Sequence, residues 1–106
     1  MTVDLDKLSV LVLDFETYFD PHYSLKKLTT AEYVNGDQFK VWGLGVRFFS
    51  EQEADWLNEN DVEAFLQDVD WDNTAVVCHN ALFDGYILTQ YYNVHPAFYY
   101  DTAAMA

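Results

Sequence analysis

The sequence predicts a small α/β domain with a mixed sheet, and three observations lead there. Two short runs, residues 9–13 (Ser-Val-Leu-Val-Leu) and Thr74–Cys78, are almost wholly apolar and read as strands buried inside a sheet. Residues 39–49 alternate well enough for a long strand, with a shorter one at 54–57, so the early strands read as hairpin-connected. After residue 58, two segments with helical spacing alternate with the remaining strands. Three strands followed by helix, strand, helix, strand make a sheet with both antiparallel and parallel neighbours.

Each element has a local reason. Residues 18–36 are irregular and polar, with room for short helical turns: Ser24 capping 25–28, and Thr30 capping 31–34. Asn35-Gly36-Asp37 is a turn signal. In the strand at 39–49, Trp42, Leu44, Val46 and Phe48 fall on one face, with Gly43 and Gly45 on the other, where something can pack close. Asn58 or Asn60 can cap a helix in which Val62, Phe65, Leu66 and Val69 form one apolar stripe, with Asp61 and Glu63 at the positive end of its dipole. A second helix is expected over 81–92 and a last short strand over 98–100. Asp101 and Thr102 look like the start of a further helix, and the expectation is a single domain over 1–106 that is C-terminally truncated.

Composition narrows the class. Half of the 106 residues are apolar and 18% are aromatic, which suits a packed core rather than a disordered chain. The one cysteine, Cys78, excludes an internal disulfide framework and sits among apolar neighbours. Neither a secretory leader nor an apolar run of membrane-spanning length is evident, so a soluble cytoplasmic protein is expected. Net charge is −13, from 18 acids against 5 bases, and every Lys and Arg lies before residue 48. A domain that held nucleic acid by its own field would carry a basic stripe. Either nucleic acid is not a partner, or its binding is supplied elsewhere and by metal ions.

Three acids carry the candidate chemistry. Asp14 and Glu16 sit at the C-terminal end of an apolar strand, and residues i and i+2 point to the same face, roughly 6–7 Å apart. Two carboxylates there repel one another unless a cation holds them, and hard cations such as Mg²⁺ or Mn²⁺ take carboxylate oxygen. Taken alone, Asp-x-Glu at a strand end more often marks two solvated acids. Asp84 lies in His79-Asn80-Ala81-Leu82-Phe83-Asp84, which follows a buried strand and opens a helix capped by Asn80. It heads a stripe continued by Ile87, Leu88 and Tyr91, with no Lys or Arg nearby in sequence, so a metal is a natural partner; the plainer role is to favour the helix dipole. Both elements place acids at the carboxyl edge of apolar strands, where open sheets put their sites. His79 reads as a packing or capping residue and Cys78 as core. The tryptophans and the late tyrosines are more readily core than a platform for bases.

Asp14-Phe15-Glu16-Thr17 resembles motif I of the DEDD (DnaQ-like) superfamily of 3′–5′ exonucleases, and Asn80-Ala-Leu-Phe83-Asp84 resembles its motif II. The stretch from Tyr23 through Leu28 to Tyr33 is also similar to proofreading domains of phage-type family A DNA polymerases. The resemblance spans essentially the whole chain. It implies a ribonuclease H-like fold and a two-metal hydrolysis of DNA ends using two divalent cations, Mg²⁺ or Mn²⁺. Asp14 would contact both metals, Glu16 the first and Asp84 the second, with Phe15, Thr17, Asn80 and Phe83 placing the terminal nucleotide of a single-stranded 3′ end. The family's motif III, an Asp preceded by a Tyr or His, is missing, since Tyr99-Tyr100-Asp101 has the wrong spacing. Weak or absent turnover is therefore expected of this chain alone, together with possible self-association or a completing polypeptide. The rival readings are a non-catalytic interaction module of the same fold and an acidic mimic of nucleic acid.

Overall fold

The computed structural model describes residues 8–102. Its sheet has five strands: β1 (Ser9–Thr17), β2 (Val41–Phe48), β3 (Asp55–Asn58), β4 (Thr74–Cys78) and β5 (Phe98–Asp101), in the spatial order β3-β2-β1-β4-β5. β1 is central. It runs antiparallel to β2 and parallel to β4, so the sheet is mixed. β2 and β3 form the hairpin expected from the sequence, whereas β1 reaches β2 through a long arm, residues 18–40, rather than a tight turn.

The arm contains α1 (Thr30–Asn35). Its cap is Thr29, one residue earlier than expected: the Thr29 hydroxyl accepts the Glu32 N–H, and the Glu32 carboxylate accepts the Thr29 N–H at 2.9 Å. This reciprocal Thr-x-x-Glu pairing satisfies two otherwise orphaned amides, which Thr30 could not do, having Tyr33 at its third position. α2 (Glu59–Asp68) buries Val62 and Leu66 and half-buries Phe65, as its stripe predicts. α3 (Ala81–Tyr86) begins where Asn80 caps it, the Asn80 side chain accepting the Phe83 N–H at 3.3 Å.

Helices α1 and α2 and the turn that follows α3 contribute to one buried cluster. From the sheet it takes Leu11, Leu13 and Phe15 of β1, Leu44 and Val46 of β2, and Val76 and Cys78 of β4; from the helical layer come Val34, Val62, Leu66, Ile87 and Leu88. Every strand residue named projects from the same face, because side chains alternate along a strand. The expectation that the first strand is buried on both faces is therefore corrected. Its other face carries Val10 and Val12, which are half-buried, and Asp14 and Glu16, which are exposed. The strand also runs on through the acids to Thr17.

Two single-residue irregularities shift the expected faces. In β2 the register slips opposite Glu16 and Thr17: Glu16 pairs with Gly43 but Thr17 pairs with Val41. Trp42 is the extra residue of a β-bulge. Val41 takes the core position and Trp42, placed on the core face by alternation, is 50% exposed and meets Tyr18 edge-on. After α3, residues Ile87–Tyr91 form a π-helical turn, in which the Tyr92 N–H bonds to the Ile87 carbonyl five residues back. The wider turn rotates Tyr91 outward to 51% exposure, and Tyr92 takes its place against Phe15 with the rings stacked 5.9 Å apart. No helix among the described residues is long and apolar enough to cross a membrane.

Candidate functional site

The site follows from where the strands stop. β4 pairs with β1 only from Ser9 to Val12. Beyond that point β1 continues as Leu13-Asp14-Phe15-Glu16-Thr17 with β2 on one side and the start of α3 on the other. Asp84 enters there. It is 3% exposed, and its Oδ1 accepts the Phe15 backbone N–H at 3.3 Å. The peptide between Asp14 and Glu16 is thereby fastened to the first turn of α3, across 69 residues of sequence. The partner sought for Asp84 is, in this structure, a backbone amide.

Asp84 is under electrostatic strain. Burial chiefly, and then the nearby charges of Asp14 and Asp101, push its carboxyl from the ordinary carboxylate range up to about 6, while backbone hydrogen bonding at Phe15 and Asn80 pulls the other way. Asp101 is a neighbour that sequence reasoning did not assign to the site. Its Oδ2 accepts the Ala81 N–H at 3.1 Å, so it approaches the N-terminus of α3 from the end of β5. Being far from Asp84 in sequence and next to the expected start of another helix, it carried no signal of this role.

Asp14 and Glu16 stay exposed on the face of β1 away from the core, opposite Gly45 and Gly43 of β2. Gly45 leaves open backbone beside Asp14, whereas Gly43, beside Glu16, is covered. A Cβ at Gly43 would lie 2.1 Å from the ring of Trp56 on β3, which covers that glycine. Among the described residues no three His, Cys, Asp or Glu side chains are drawn together closely enough to hold a metal ion. The donor set itself is all hard oxygen, and a carboxyl that is buried first and crowded by other acids second is one a hard cation suits.

The remaining predicted residues divide. The Phe15 ring is buried in the core against Tyr92, so what Phe15 brings to the site is its amide. Asn80 is exposed and serves as the α3 cap. Thr17 and Phe83 come together: both line an open cleft of about 670 Å³ at the carboxyl end of β1. The Thr17 hydroxyl lies 2.9 Å from that of Tyr33, whose ring packs 6.1 Å from Phe83 and whose hydroxyl also bonds to the Tyr18 carbonyl. Residues 19–21 and 24–27, among them Phe19, Leu25, Lys26 and Lys27, line the rest of it. Sequence reasoning gave Leu25, Lys26 and Lys27 only a place in a short capped turn and in a resemblance, and gave Phe19 no role. His79 is exposed and its Nδ1 lies 3.1 Å from the Thr102 hydroxyl, whereas Cys78 is buried, as expected of a core residue. Compared with known protein families, with curated proteins and with solved structures, the chain matches none.

Proposed function

We propose that this chain carries the metal-binding part of a 3′–5′ exonuclease domain of the DEDD type, with a ribonuclease H-like fold and a proofreading role in DNA replication. The observation that carries the reading is the bond from the Phe15 amide to Asp84. It joins the two sequence motifs at one point, the carboxyl end of the central strand, where open sheets place their sites. The mixed sheet and the crowding of Asp84 by Asp14 and Asp101 support it.

On this reading Asp14 and Glu16 supply exposed carboxylates to Mg²⁺ or Mn²⁺ and Asp84 supplies a buried one. When bound, such ions would activate water and neutralise charge building on the phosphate. The chain's own contribution is positioning. The β1–β2 ladder fixes Asp14 and Glu16 on one face, the α3 cap fixes Asp84, and Thr17 and Phe83 border the cleft that would receive the terminal nucleotide of a single DNA strand. Titration calorimetry with Mn²⁺ tests this. Binding by the native chain that disappears in Asp14→Ala is expected; no binding at millimolar Mn²⁺ removes the basis for the reading.

A second reading, an interaction module that keeps the fold, draws on a different observation. Trp56, Phe98 and Tyr100 are exposed on the sheet face opposite the helices, beside half-buried Val10, Val12 and Val77. Retained Asp14-dependent Mn²⁺ binding separates the first reading from this one.

A further inference from the structure

A second, smaller cleft is lined by none of Asp14, Glu16 and Asp84. It encloses about 230 Å³ between the start of β2, the first turns of α2 and the end of the π-helical turn. Three aromatic residues line it, Phe39, Tyr91 and Tyr92. The rings of Phe39 and Tyr91 stand 5.1 Å apart at 72°, and those of Tyr91 and Tyr92 stand 4.9 Å apart at 82°. Neighbouring rings thus meet near right angles, which sets the aromatic walls in different directions. Tyr91 is in this wall because the π-helical turn rotates it out of the core, and such turns are frequent at functional sites.

The rings are accompanied by negative charge. Glu59 and Glu63 line the same cleft, one helical turn apart on α2. Their field reaches the aromatic wall: after burial and the neighbouring Tyr91, the two carboxylates push the Tyr92 hydroxyl further above the ordinary tyrosine range. An ammonium group already stands at the rim. Lys40 also borders the cleft, and its Nζ lies 3.7 Å from Glu59 Oε1, with both side chains about half exposed. An ion pair so open to water is weak and exchanges readily for another cation.

We propose that this cleft is a seat for the alkylammonium end of an organic amine, held against Phe39, Tyr91 and Tyr92 by cation–π contact and neutralised by Glu59 and Glu63. The face of an aromatic ring attracts a cation, most strongly where water is partly excluded. The two carboxylates are the charge complement of such a head, and Lys40 is its resident competitor. The volume falls short of the roughly 300 Å³ from which pockets take whole small molecules, so the head enters and the remainder stays outside. A free amine and the lysine side chain of a partner polypeptide present the same head. The inference stands apart from the nuclease reading and shares no site residue with it.

The test is an amide chemical-shift titration by NMR of the whole chain at pH 7 and constant ionic strength. One arm uses n-butylamine hydrochloride and the other the peptide acetyl-Gly-Lys-Gly-amide. Saturable shifts at Tyr91, Tyr92 and Glu59 are expected, with millimolar affinity. Tyr91→Leu keeps apolar bulk but removes the ring, and should weaken binding about fivefold or more, while Tyr91→Phe binds as the native chain does. Glu59→Gln with Glu63→Gln should weaken it, whereas Glu53→Gln with Asp72→Asn, which removes the same charge elsewhere, should leave it unchanged. Lys40→Gln should strengthen it about two- to fivefold, because the competitor is gone. All of these side chains are exposed, so each variant should keep the native circular dichroism spectrum. Peptide binding about tenfold tighter than that of butylamine supports the seat and assigns it to a polypeptide lysine; equal or weaker peptide binding supports it and assigns it to a free amine. Absence of saturable shifts with either probe at tens of millimolar overturns the proposal. So does affinity unchanged in Tyr91→Leu, or an equal loss in the Glu53 and Asp72 control. The Mn²⁺ titration reads Asp14, so either proposal can fail while the other stands.

Discussion

Replacing Asp84 with Asn should make the metal-free protein more stable at neutral pH while removing a metal ligand. The Asp84 carboxyl is buried and is pushed up to about 6 from an ordinary 3.8. A carboxyl whose folded pKa lies above its unfolded value binds its proton more tightly in the folded state. The native protein therefore loses stability as pH rises from about 4, and the loss is complete above about 6. Two pKa units correspond to about 3 kcal/mol, an upper figure because local relaxation reduces it. Asn removes the charge but keeps an oxygen for the Phe15 amide, so the hydrogen bond between α3 and β1 survives. Urea unfolding in EDTA at pH 4, 5, 6 and 7.5 checks the argument. Native and Asp84→Asn chains should be nearly equal at pH 4, with the variant ahead by about 1–3 kcal/mol at pH 7.5. A difference that stays flat across this range, or an Asn variant that is weaker at pH 7.5, refutes the claim that an ionised Asp84 is held against its preference.

Other outcomes follow from single contacts. Gly43→Ala puts a Cβ 2.1 Å from the Trp56 ring and 2.6 Å from the Leu57 carbonyl oxygen, and because the second is backbone the edge strand must move. A loss of about 1–3 kcal/mol in urea unfolding is expected, with a change in tryptophan fluorescence. Cys78 is 2% exposed, and burial, reinforced by the charges of Asp84, Asp101 and Asp14, pushes its thiol up to about 12. It should resist a thiol-disulfide reagent at pH 8 and react fully in urea; rapid reaction in the native state contradicts the packing described. Release of nucleotides from a labelled single strand by these 106 residues in Mn²⁺ should be slow or absent, because motif III is missing from them; robust, Asp14-dependent turnover contradicts this.

Much of the architecture was legible because local and tertiary preferences agree. The apolar run at Thr74–Cys78 can do little but sit inside a sheet, and Asn80 directly before a helical stripe is a strong capping signal. The misplacements at Trp42 and Tyr91 share a cause. Both come from a one-residue insertion into a regular period, and periodicity cannot announce where it will be broken. At Trp42 the decision lies with packing: Val41 fills the core and the larger ring is carried outward to Tyr18. The site was half legible. Spacing along β1 put Asp14 and Glu16 on one face, and they are found there. That Asp84 would bond to the peptide between them depends on β4 ending short of β1, a relation between strands that no local window contains.

That early ending has a mechanical meaning. Along most of β1 each amide is held by a neighbouring strand, and releasing one strains the whole ladder. At Phe15 the acceptor is a side chain, which can rotate about its own bonds while the ladder stays closed. The Phe15 amide thus hangs on a swivel within an otherwise stiff frame. Displacing the Asp84 carboxylate would free that one amide while the pairs of Asp14 and Glu16 with β2 stay closed, so the bond can break without the sheet coming apart.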